Sequence, residues 1–512
     1  MSPDPVRLEI FNNLYQFIAE QMGIVLQNTA TSVNIKERLD FSCAIFDRDG
    51  LLVANAPHIP VHLGSMSASV SSLIADLGDQ MQPGNVYGAN NPYNGGTHLP
   101  DVTMITPVFI DDVAQPIFYV ASRGHQADLG GTTPGSMPPH SQNIEEEGIL
   151  LDNFLLVAGG NFRETAIRTK LTKHQYPARN PDQNIADFQA QIAANNRGVQ
   201  ELLKMVAQYG LDTVQAYMGF VQDNAETAVK KAIALLQNGE FCCQMDNGAV
   251  IKVKITIDRQ KLEATIDFTG TSPQLDNNFN APSAVCQAAI LYVFRTLVKD
   301  TIPLNEGCLK PLNIIIPPGC MLNPQYPAAV VAGNVETSQN ITDCLYGALG
   351  VMAASQGTMN NFTFGSDRYQ YYETICGGSG AGQNFAGTDA VQTQMTNSRL
   401  TDPEVLELRF PVMVDEFKIR QNSGGKGKHN GGNGVVRKIR FLEAMTAGIL
   451  SNRRQIAPFG LAGGNPGQVG VNYIQKANGT TEQLASQTVV SMQPGDTFII
   501  ETPGGGGYGT DD

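Results

Sequence analysis

Two histidines and an aspartate stand where they could share a metal ion. His98 and Asp101 lie in the loop NNPYNGGTHLPD (90–101), directly before a predicted strand, and His125 directly follows the next one. Two imidazoles and a carboxylate, with positions left for water, are typical of a catalytic Zn²⁺, Mn²⁺ or Fe²⁺ site rather than a closed structural site. Such a metal lowers the pKa of water and polarises a carbonyl. Because H-x-x-D is a weak motif, two ordinary histidines beside a solvated aspartate fit the spacing equally well.

The two strands that would bring these side chains together are VTMITPVFI (102–110) and PIFYVASRG (116–124). An antiparallel hairpin that turns near residue 113 pairs residues whose positions are equidistant from that turn. In this register Asp101 faces His125. The hairpin therefore predicts that the imidazole and the carboxylate meet at its open end.

The register of this hairpin depends on its turn and its prolines. Asp111-Asp112 and their neighbours form the predicted turn, and His98 lies on the loop that enters the hairpin. Pro107 and Pro116 indicate an edge strand or a bulge, because proline cannot donate to a sheet ladder. A slip of one or two residues would change which residues face each other, but it would leave the three candidate ligands close together.

Four more side chains near the hairpin are candidates. His58 and His62 have the i, i+4 spacing of zinc ligands, but Pro60 between them argues against one helix presenting both. That pair favours one histidine packed beside a site and one on the surface. Asp40 precedes a predicted strand and Asp128 follows the second hairpin strand, so each could be a further ligand or a catalytic base. On sequence alone, each is more typical of an ordinary turn carboxylate.

Composition excludes several classes of partner. The 34 basic and 48 acidic residues give a net charge of −14, and no basic stripe compensates for it. Such a surface repels phosphate backbones, so we expect no nucleic-acid partner. The N-terminal residues lack the pattern of a signal peptide, and no apolar run reaches the roughly 20 residues of a membrane span. The eight cysteines contain no C-x-x-C and are typical of free thiols, which predicts a cytoplasmic protein.

The elements that must position these residues predict a mixed α+β protein whose C-terminal half is rich in glycine and strands. A chain of 512 residues is too long for one compact core. We expect an N-terminal metal-binding region (1–180), a helical segment (181–240), a mixed α/β region (241–375) and a glycine-rich, β-rich region (376–512). The periodicity predicts helices over 6–27, 184–238 and 283–298, a hairpin of 41–47 with 51–55, and strands within 249–269.

Three glycine clusters need a separate interpretation. They are CGGSGAG (376–382), GGKGKHNGGNG (424–434) and PGGGGYG (503–509). None has the order of a P-loop or the spacing of a dinucleotide-binding turn. Tight turns in a β-rich half are the favoured explanation, and binding of a phosphate by backbone N–H groups is the alternative. The sequence therefore predicts no nucleotide site on this chain.

Ordered motifs along nearly the whole chain resemble one family. They are ERLDFSCAIFD (37–47), HIPVHLGSM (58–66), NPYNGGTHLPDVTMITPVF (91–109), SRGHQADLGG (122–131), DFTGTSPQLDNNFNAP (267–282), PLNEGCLKPLNIIIPPG (303–319), AGNVETSQ (332–339) and the three glycine clusters. The chain resembles the hydantoinase B/5-oxoprolinase family, the B-type subunit of ATP-dependent cyclic-amide hydrolases. The order and spacing of these motifs show no major departure from that family.

The resemblance implies a function that composition does not. In this family an A-type subunit with an actin-like ATPase phosphorylates the amide oxygen of a lactam or hydantoin, and the B-type subunit then hydrolyses the ring with a metal-activated water. We therefore expect a hetero-oligomer with an A-type ATPase, a small cyclic amide as substrate and Zn²⁺ or Mn²⁺ as the metal. The residues that match the family's ligands are His98, Asp101 and His125, with Asp40 as the fourth.

Two alternatives remain open on the sequence. The related acetone and acetophenone carboxylases use a similar scaffold, so the chain could be a subunit of an ATP-dependent carboxylase. It could also be a non-catalytic scaffold whose metal only stabilises the assembly. The compact length favours hydrolysis, because the carboxylases bring additional subunits and longer chains.

Overall fold

The computed structural model describes residues 3–110, 113–299 and 302–510. The predicted turn at Asp111-Asp112 lies outside these residues. Within them, no helix combines the length and the apolar composition needed to cross a membrane. The helices are α1 (Pro5–Thr29), α2 (Val33–Lys36), α3 (Pro60–Leu77), α4 (Glu164–Thr172), α5 (Pro181–Tyr209), α6 (Leu211–Ile233), α7 (Ser283–Thr296), α8 (Ser338–Leu349) and α9 (Pro403–Arg409).

The three predicted helical segments are confirmed, one of them as two helices, whereas α2, α3, α4, α8 and α9 are not among the predictions. The first and last correspond to α1 and α7, while the long central one is two helices, α5 and α6, that meet at Gly210. Gly210 has a φ of +82°, a conformation that glycine adopts without steric cost and that ends a helix. Helix α4 has no apolar periodicity that would predict it, because it is short and its mean composition is polar.

A seven-stranded sheet carries the candidate site. Its strands are β1 (Phe41–Phe46), β2 (Leu52–Asn55), β3 (Val86–Ala89), β4 (Asp101–Val108), β5 (Phe118–His125), β6 (Phe154–Ala158) and β7 (Asn161–Phe162). They lie in the order β2-β1-β5-β4-β3-β6-β7. The predicted hairpin of β1 with β2 is confirmed as an antiparallel pair.

Helices cover both faces of this sheet, which explains the uninterrupted apolar sequence of β1. Cys43 and Ile45 pack in one core with residues of α1 and α5. Ala44 and Phe46 point to the opposite face and pack in another core with residues of α3. Because successive side chains alternate between faces, a strand buried on both faces reads as a continuous apolar run.

The register of β4 with β5 is the one that the sequence predicts. The pairing runs from Asp101 opposite His125 to Val108 opposite Phe118. Strand β4 is not at the edge of the sheet, since β3 pairs with its other side. Pro107 is tolerated because it lies beyond the stretch of β4 that β3 pairs with, so its missing N–H faces no ladder partner there.

The remaining strands form three smaller sheets. They are β8 (Gly239–Gln244), β9 (Val250–Asp258), β10 (Glu263–Asp267), β11 (Leu312–Ile315), β12 (Asn361–Gly365), β13 (Gln370–Glu373), β14 (Val412–Ile419), β15 (Val435–Phe441), β16 (Met445–Leu450), β17 (Val471–Gln475), β18 (Thr481–Leu484), β19 (Gln487–Met492) and β20 (Thr497–Glu501). The sheet orders are β11-β10-β9-β8, β13-β12-β16-β19 and β14-β15-β20-β17-β18. The mixed α+β class and the β-rich C-terminal half are confirmed, whereas the division into four regions stays a prediction.

The glycine clusters pack against one another. The segment 503–509 lies between 376–382 and 424–434, and backbone hydrogen bonds join the three. The Gly505 N–H, for example, donates to the carbonyl oxygen of Gly432 at 2.9 Å. The prediction of tight turns is therefore wrong for the middle of these segments: glycine is needed there because neighbouring backbones leave no room for a side chain. The backbone N–H groups in the middle of these segments donate to carbonyl oxygens of the adjacent glycine segments, so they are not open to a phosphate.

Candidate metal centre

The strand ends bring the candidate ligands to one edge of the seven-stranded sheet. Strands β1, β5 and β4 are neighbours, and Asp40 directly precedes β1, His125 ends β5 and Asp101 begins β4. The backbone carbonyl of Asp40 accepts the N–H of His125 at 3.0 Å, which extends the ladder by one residue. His98 reaches the same edge on the loop before β4.

His98, Asp101 and His125 form a compact and buried cluster. Each is at most 2% exposed, and one ligand atom of each lies within 4.8 Å of the other two. His98 Nε2 lies 3.1 Å from Asp101 Oδ2. Nε2 of His125 has no hydrogen-bond partner among the described residues, and the 3.1 Å contacts of His98 Nε2 and of Asp101 Oδ1 lack hydrogen-bond geometry. Unpartnered buried nitrogens and oxygens that converge on one point fit a metal ion, which supplies the missing partner.

The surroundings of His125 favour the form that can ligate. Its Nδ1 lies 3.0 Å from the backbone carbonyl oxygen of Gln126, to which a protonated Nδ1 donates. In that tautomer Nε2 is unprotonated and faces the cluster, as in most histidine ligands, while the Asn34 amide lies 3.1 Å from Nδ1. The ring stacks on Tyr372, with centroids 4.6 Å apart. Burial lowers the pKa of His125 to about 4, so the imidazole is neutral at physiological pH.

The carboxylate of Asp101 is oriented by several neighbours. Its Oδ2 accepts hydrogen bonds from Thr97 Oγ1 at 3.1 Å and from Asn334 Nδ2 at 3.2 Å. Its Oδ1 lies 3.1 Å from His62 Nε2. Burial raises the pKa of Asp101, but the charges of His62 and His98 outweigh burial and hold the pKa well below its usual range. The side chain is therefore an anion, as a carboxylate ligand must be.

His62 contacts the cluster although the sequence does not assign it there. Helix α3 begins at Pro60, so proline is the first residue of the helix rather than an interruption of it. His62 lies on the first turn and faces Asp101, whereas His58 precedes the helix and accepts the Cys43 N–H through Nδ1 at 3.0 Å. One helix thus does not present both histidines, as expected, but the histidine beside the site could only be identified from the fold.

Asn334 also reaches the cluster from a distant part of the chain. It lies in the motif AGNVETSQ (332–339), where Gly333–Thr337 form a π-helical turn before α8. A π-turn adds one residue to a helical turn, and such turns are frequent at functional sites. This turn places the Asn334 amide against Asp101 Oδ2. No spacing rule links residue 334 to residue 101, so sequence periodicity could not reveal the contact.

We expect Asn334→Ala to weaken metal binding about 10–100-fold, the usual effect of removing a side chain that orients a ligand. The substitution removes one of the two hydrogen bonds to Asp101 Oδ2. Competition with a fluorescent chelator measures the affinity. Asn196→Ala, on the exposed face of α5, is the matched control and should bind like the unmodified chain. Equal affinities of all three proteins would contradict the orienting role of Asn334.

The two remaining candidate carboxylates differ in position. Asp40 lines the same small cavity as the cluster, with Oδ1 4.0 Å from His62 Nε2 and Oδ2 3.5 Å from Arg38 Nη1. Its role as a fourth ligand stays a prediction. Asp128 does not line that cavity: its carboxylate pairs with Arg179 at 2.9 Å and accepts backbone N–H groups, including that of Gly130 at 2.9 Å. The structure therefore does not bring Asp128 to the cluster.

A buried glutamate lies in the same π-turn as Asn334. Glu336 Oε1 accepts the Met359 N–H at 2.9 Å and the Asn361 Nδ2 at 2.6 Å. Burial raises the pKa of Glu336 to about 8, against the lowering effect of these hydrogen bonds and of Thr358. The carboxyl is therefore protonated at neutral pH.

We expect Glu336→Gln to remove a pH dependence of stability. The pKa of Glu336 rises from 4.5 to about 8 on folding, so the folded chain keeps a proton that the unfolded chain has lost. The contribution of this proton to the free energy of unfolding is complete below about pH 4.5 and is lost as the pH rises through about 8. Relative to the unmodified chain, the always-neutral variant should gain roughly 2–4 kcal/mol between pH 5 and pH 9. Urea unfolding of both proteins at both pH values measures this gain. If the difference in free energy of unfolding between them were the same at pH 5 and at pH 9, the raised pKa of Glu336 would be contradicted.

The amino-acid sequence is similar to known proteins over nearly its whole length. A model of the hydantoinase B/oxoprolinase family matches residues 4–511. The 5-oxoprolinase of Dictyostelium discoideum is 47% identical over 521 residues, a match that covers 99% of this chain and 40% of that protein. The chain thus spans about two fifths of the length of that relative.

Solved structures share the fold. The ATP-dependent caprolactamase from Pseudomonas jessenii superimposes with a TM-score of 0.89 at 24% identity, covering 100% of this chain and 92% of that one. A nucleotide-free acetone carboxylase superimposes with a TM-score of 0.86 at 17% identity, covering 99% and 76%. At these identities the likeness concerns the fold alone. Because the family model and the long relative both match nearly the whole chain, it belongs to the hydantoinase B/oxoprolinase family.

Proposed function

We propose that this chain is the ring-opening component of an ATP-dependent cyclic-amide hydrolase of the 5-oxoprolinase or hydantoinase type. The observation that carries the proposal is the buried cluster of His98, Asp101 and His125, whose ligand atoms lie within 4.8 Å of one another. Family membership supports the substrate class, since a relative 47% identical is named a 5-oxoprolinase. The caprolactamase with the same fold acts on a cyclic amide in an ATP-dependent reaction, as its name states.

We propose His98, Asp101 and His125 as ligands of one divalent metal, Zn²⁺ or Mn²⁺, with Asp40 as the fourth. A metal held there supplies Lewis acidity to a carbonyl and lowers the pKa of water. The chain's own contribution is to hold the ligands in the required protonation states. Burial keeps the His125 imidazole neutral, and the neighbouring His62 helps to keep the Asp101 carboxyl ionised.

The ATP-dependent step belongs to a partner in this proposal. An unstrained amide resists hydrolysis because resonance protects its carbonyl, and phosphorylation of the amide oxygen removes that resonance, so that water can add to the carbon and the C–N bond can then break. The chain contains no P-loop sequence and spans two fifths of its long relative, which leaves room for an ATPase in the other three fifths. We therefore propose an A-type ATPase as partner, either as a separate subunit or in one fused polypeptide.

Asp128 has no part in the proposed site. Its carboxylate pairs with Arg179, at 2.9 Å, and accepts the Gly130 and Gly135 N–H groups, so it anchors the loop after β5. These contacts engage both carboxylate oxygens, and the side chain does not line the metal cavity. Asp128→Asn is expected to act on stability rather than on the chemical step.

The direct experiment is an assay of the chain together with its A-type partner. We expect ring opening of 5-oxoproline, hydantoin or ε-caprolactam that requires ATP and the metal. Liquid chromatography of the open-chain amino acid measures the product, with the partner alone as the control. Ring opening without ATP, or bicarbonate-dependent carboxylation in its place, would contradict the proposal; the second result would assign the chain to the carboxylases.

A further inference from the structure

The cavity at the metal cluster is too small for a ring substrate. Its volume is ≈ 10 Å³, and its wall includes His62, Asn334 and Tyr372. A cavity of about 10–15 Å³, measured by the space open to a water-sized sphere, holds one water molecule. A lactam ring with five or more heavy atoms therefore needs a separate binding space that communicates with this cavity.

A cleft of suitable size lies on the other side of one cavity wall. It has a volume of ≈ 490 Å³ and is formed by α1, the segment before α3, α7 and residues 302–304; we name it the α1–α7 cleft. Small-molecule sites commonly have volumes of about 300–1,000 Å³. The cleft combines apolar residues such as Leu63 and Leu304 with side-chain amides and the guanidinium of Arg295.

Only one layer of chain separates this cleft from the metal cavity. In the segment before and at the start of α3, His58 and Pro60 line the cleft, while Ile59 and Val61 line the cavity. This alternation means that the same backbone forms both walls. A displacement of this segment by a side-chain width would join the two spaces.

The wall between the cleft and the metal cavity, which we call the partition, also includes residues 395–397. Asn397 lines the cleft, whereas Thr396 lines the cavity. The Asn397 Nδ2 donates to the carbonyl oxygen of His58 at 3.1 Å, and the Val61 N–H donates to that of Met395 at 3.2 Å. Two hydrogen bonds thus join the two segments that form the partition.

The polar groups of the cleft match a cyclic amide. Asn12 lines the cleft, and its Oδ1 is buried without a hydrogen-bond partner among the described residues, so a turn of this side chain toward the cleft would offer an acceptor for an amide N–H. The Arg295 guanidinium donates from Nε and Nη2 to the carbonyl oxygen of Ile302, at 3.0 and 2.6 Å, which leaves Nη1 for a carboxylate or phosphate group on the substrate. By contrast, the ≈ 330 Å³ cleft lined by Asn34 approaches His125 from its Nδ1 side, away from the unpartnered Nε2.

We propose that the α1–α7 cleft binds the cyclic amide, which reaches the metal cluster when the partition between the two segments parts. This inference rests on the proposed function, because it names where the substrate of that reaction binds. It makes Asn12 and Arg295 binding residues and His58 part of the passage.

The test places a bulky side chain at an exposed residue that lines the α1–α7 cleft. Thr296 ends α7, is exposed and lines the cleft. In the complex with the A-type partner, Thr296→Trp should raise KM for 5-oxoproline at least tenfold, with an unchanged metal content. Thr296→Val controls for the lost hydroxyl contact with Tyr346, and Gln189→Trp places the same bulk at the unrelated ≈ 240 Å³ cleft. A KM for Thr296→Trp within twofold of that for Thr296→Val would overturn the inference.

A binding measurement does not depend on turnover or on the folding of the tryptophan variant. In Thr296→Cys, we expect 5-oxoproline to slow alkylation at position 296 by maleimide at least fivefold. The exposed thiol of Cys242 is an internal control whose alkylation rate should not change. Absence of protection at 296 would overturn the cleft assignment. If the complex opens the ring but 5-oxoproline does not protect position 296, the assignment of the cleft as the substrate site is wrong and the proposed function stands. If position 296 is protected but no ATP-dependent ring opening occurs, the proposed function is wrong.

Discussion

His98→Ala is expected to reduce kcat for ring opening by about 10³-fold or more, because the loss of one ligand removes the metal that activates water and carbonyl. His98 is fully buried, and neither of its ring nitrogens has a protein hydrogen-bond partner. The substitution therefore removes a metal donor, together with the 3.1 Å contact of His98 Nε2 with Asp101 Oδ2. Elemental analysis should show that the variant has lost most of its metal, while ATP turnover by the partner persists.

A surface histidine provides the control for this prediction. His140 is exposed and lies outside the metal cavity, so His140→Ala should leave both metal content and kcat unchanged. The readout is made on the intact complex, confirmed by size-exclusion chromatography. If His98→Ala kept kcat within tenfold of the unmodified chain in that complex, the cluster would have a structural rather than a catalytic role.

Gly505→Ala is expected to destabilise the chain by about 3 kcal/mol or more, at the upper end of overpacking effects. A Cβ at this position would lie 2.0 Å from the backbone carbonyl oxygen of Ser379. Backbone atoms cannot move aside as a flexible side chain can, and two hydrogen bonds, with Gly432 and Gly425, hold Gly505 to the 424–434 segment. Thermal and urea unfolding measure the loss of stability.

A helical glycine provides the matched control. Gly219 lies in α6, and a Cβ there would meet no atom within 4 Å. Gly219→Ala should therefore be neutral or stabilise the chain by up to about 1 kcal/mol, since alanine has the higher helix propensity. Equal effects of the two substitutions would contradict the packing of the glycine segments.

The part of the site that lies within one hairpin could be predicted from the sequence. Strand alternation and the position of the turn gave the pairing of Asp101 with His125, which the structure has. Pro107 did not shift this register, because it lies beyond the stretch paired with β3. A local ladder has few alternatives once both of its strands are recognised.

Contacts between distant segments could not be predicted in this way. His62 reaches Asp101 because α3 packs on the sheet, and Asn334 reaches it because a π-turn alters the direction of its side chain. Both depend on packing between elements, which periodicity does not encode. The glycine segments show the same limit: their composition indicates unusual backbone, but only the fold shows that Gly505 packs against Ser379.

The central claim is that one metal ion at His98, Asp101 and His125 is required for ring opening. The direct measurement is a titration of the chelator-treated chain, in complex with its partner, with Zn²⁺ or Mn²⁺ while ATP-dependent ring opening of 5-oxoproline is followed. We expect activity to be absent without metal, to rise linearly and to reach a plateau at one equivalent per chain. Full activity in the metal-free complex would contradict the claim.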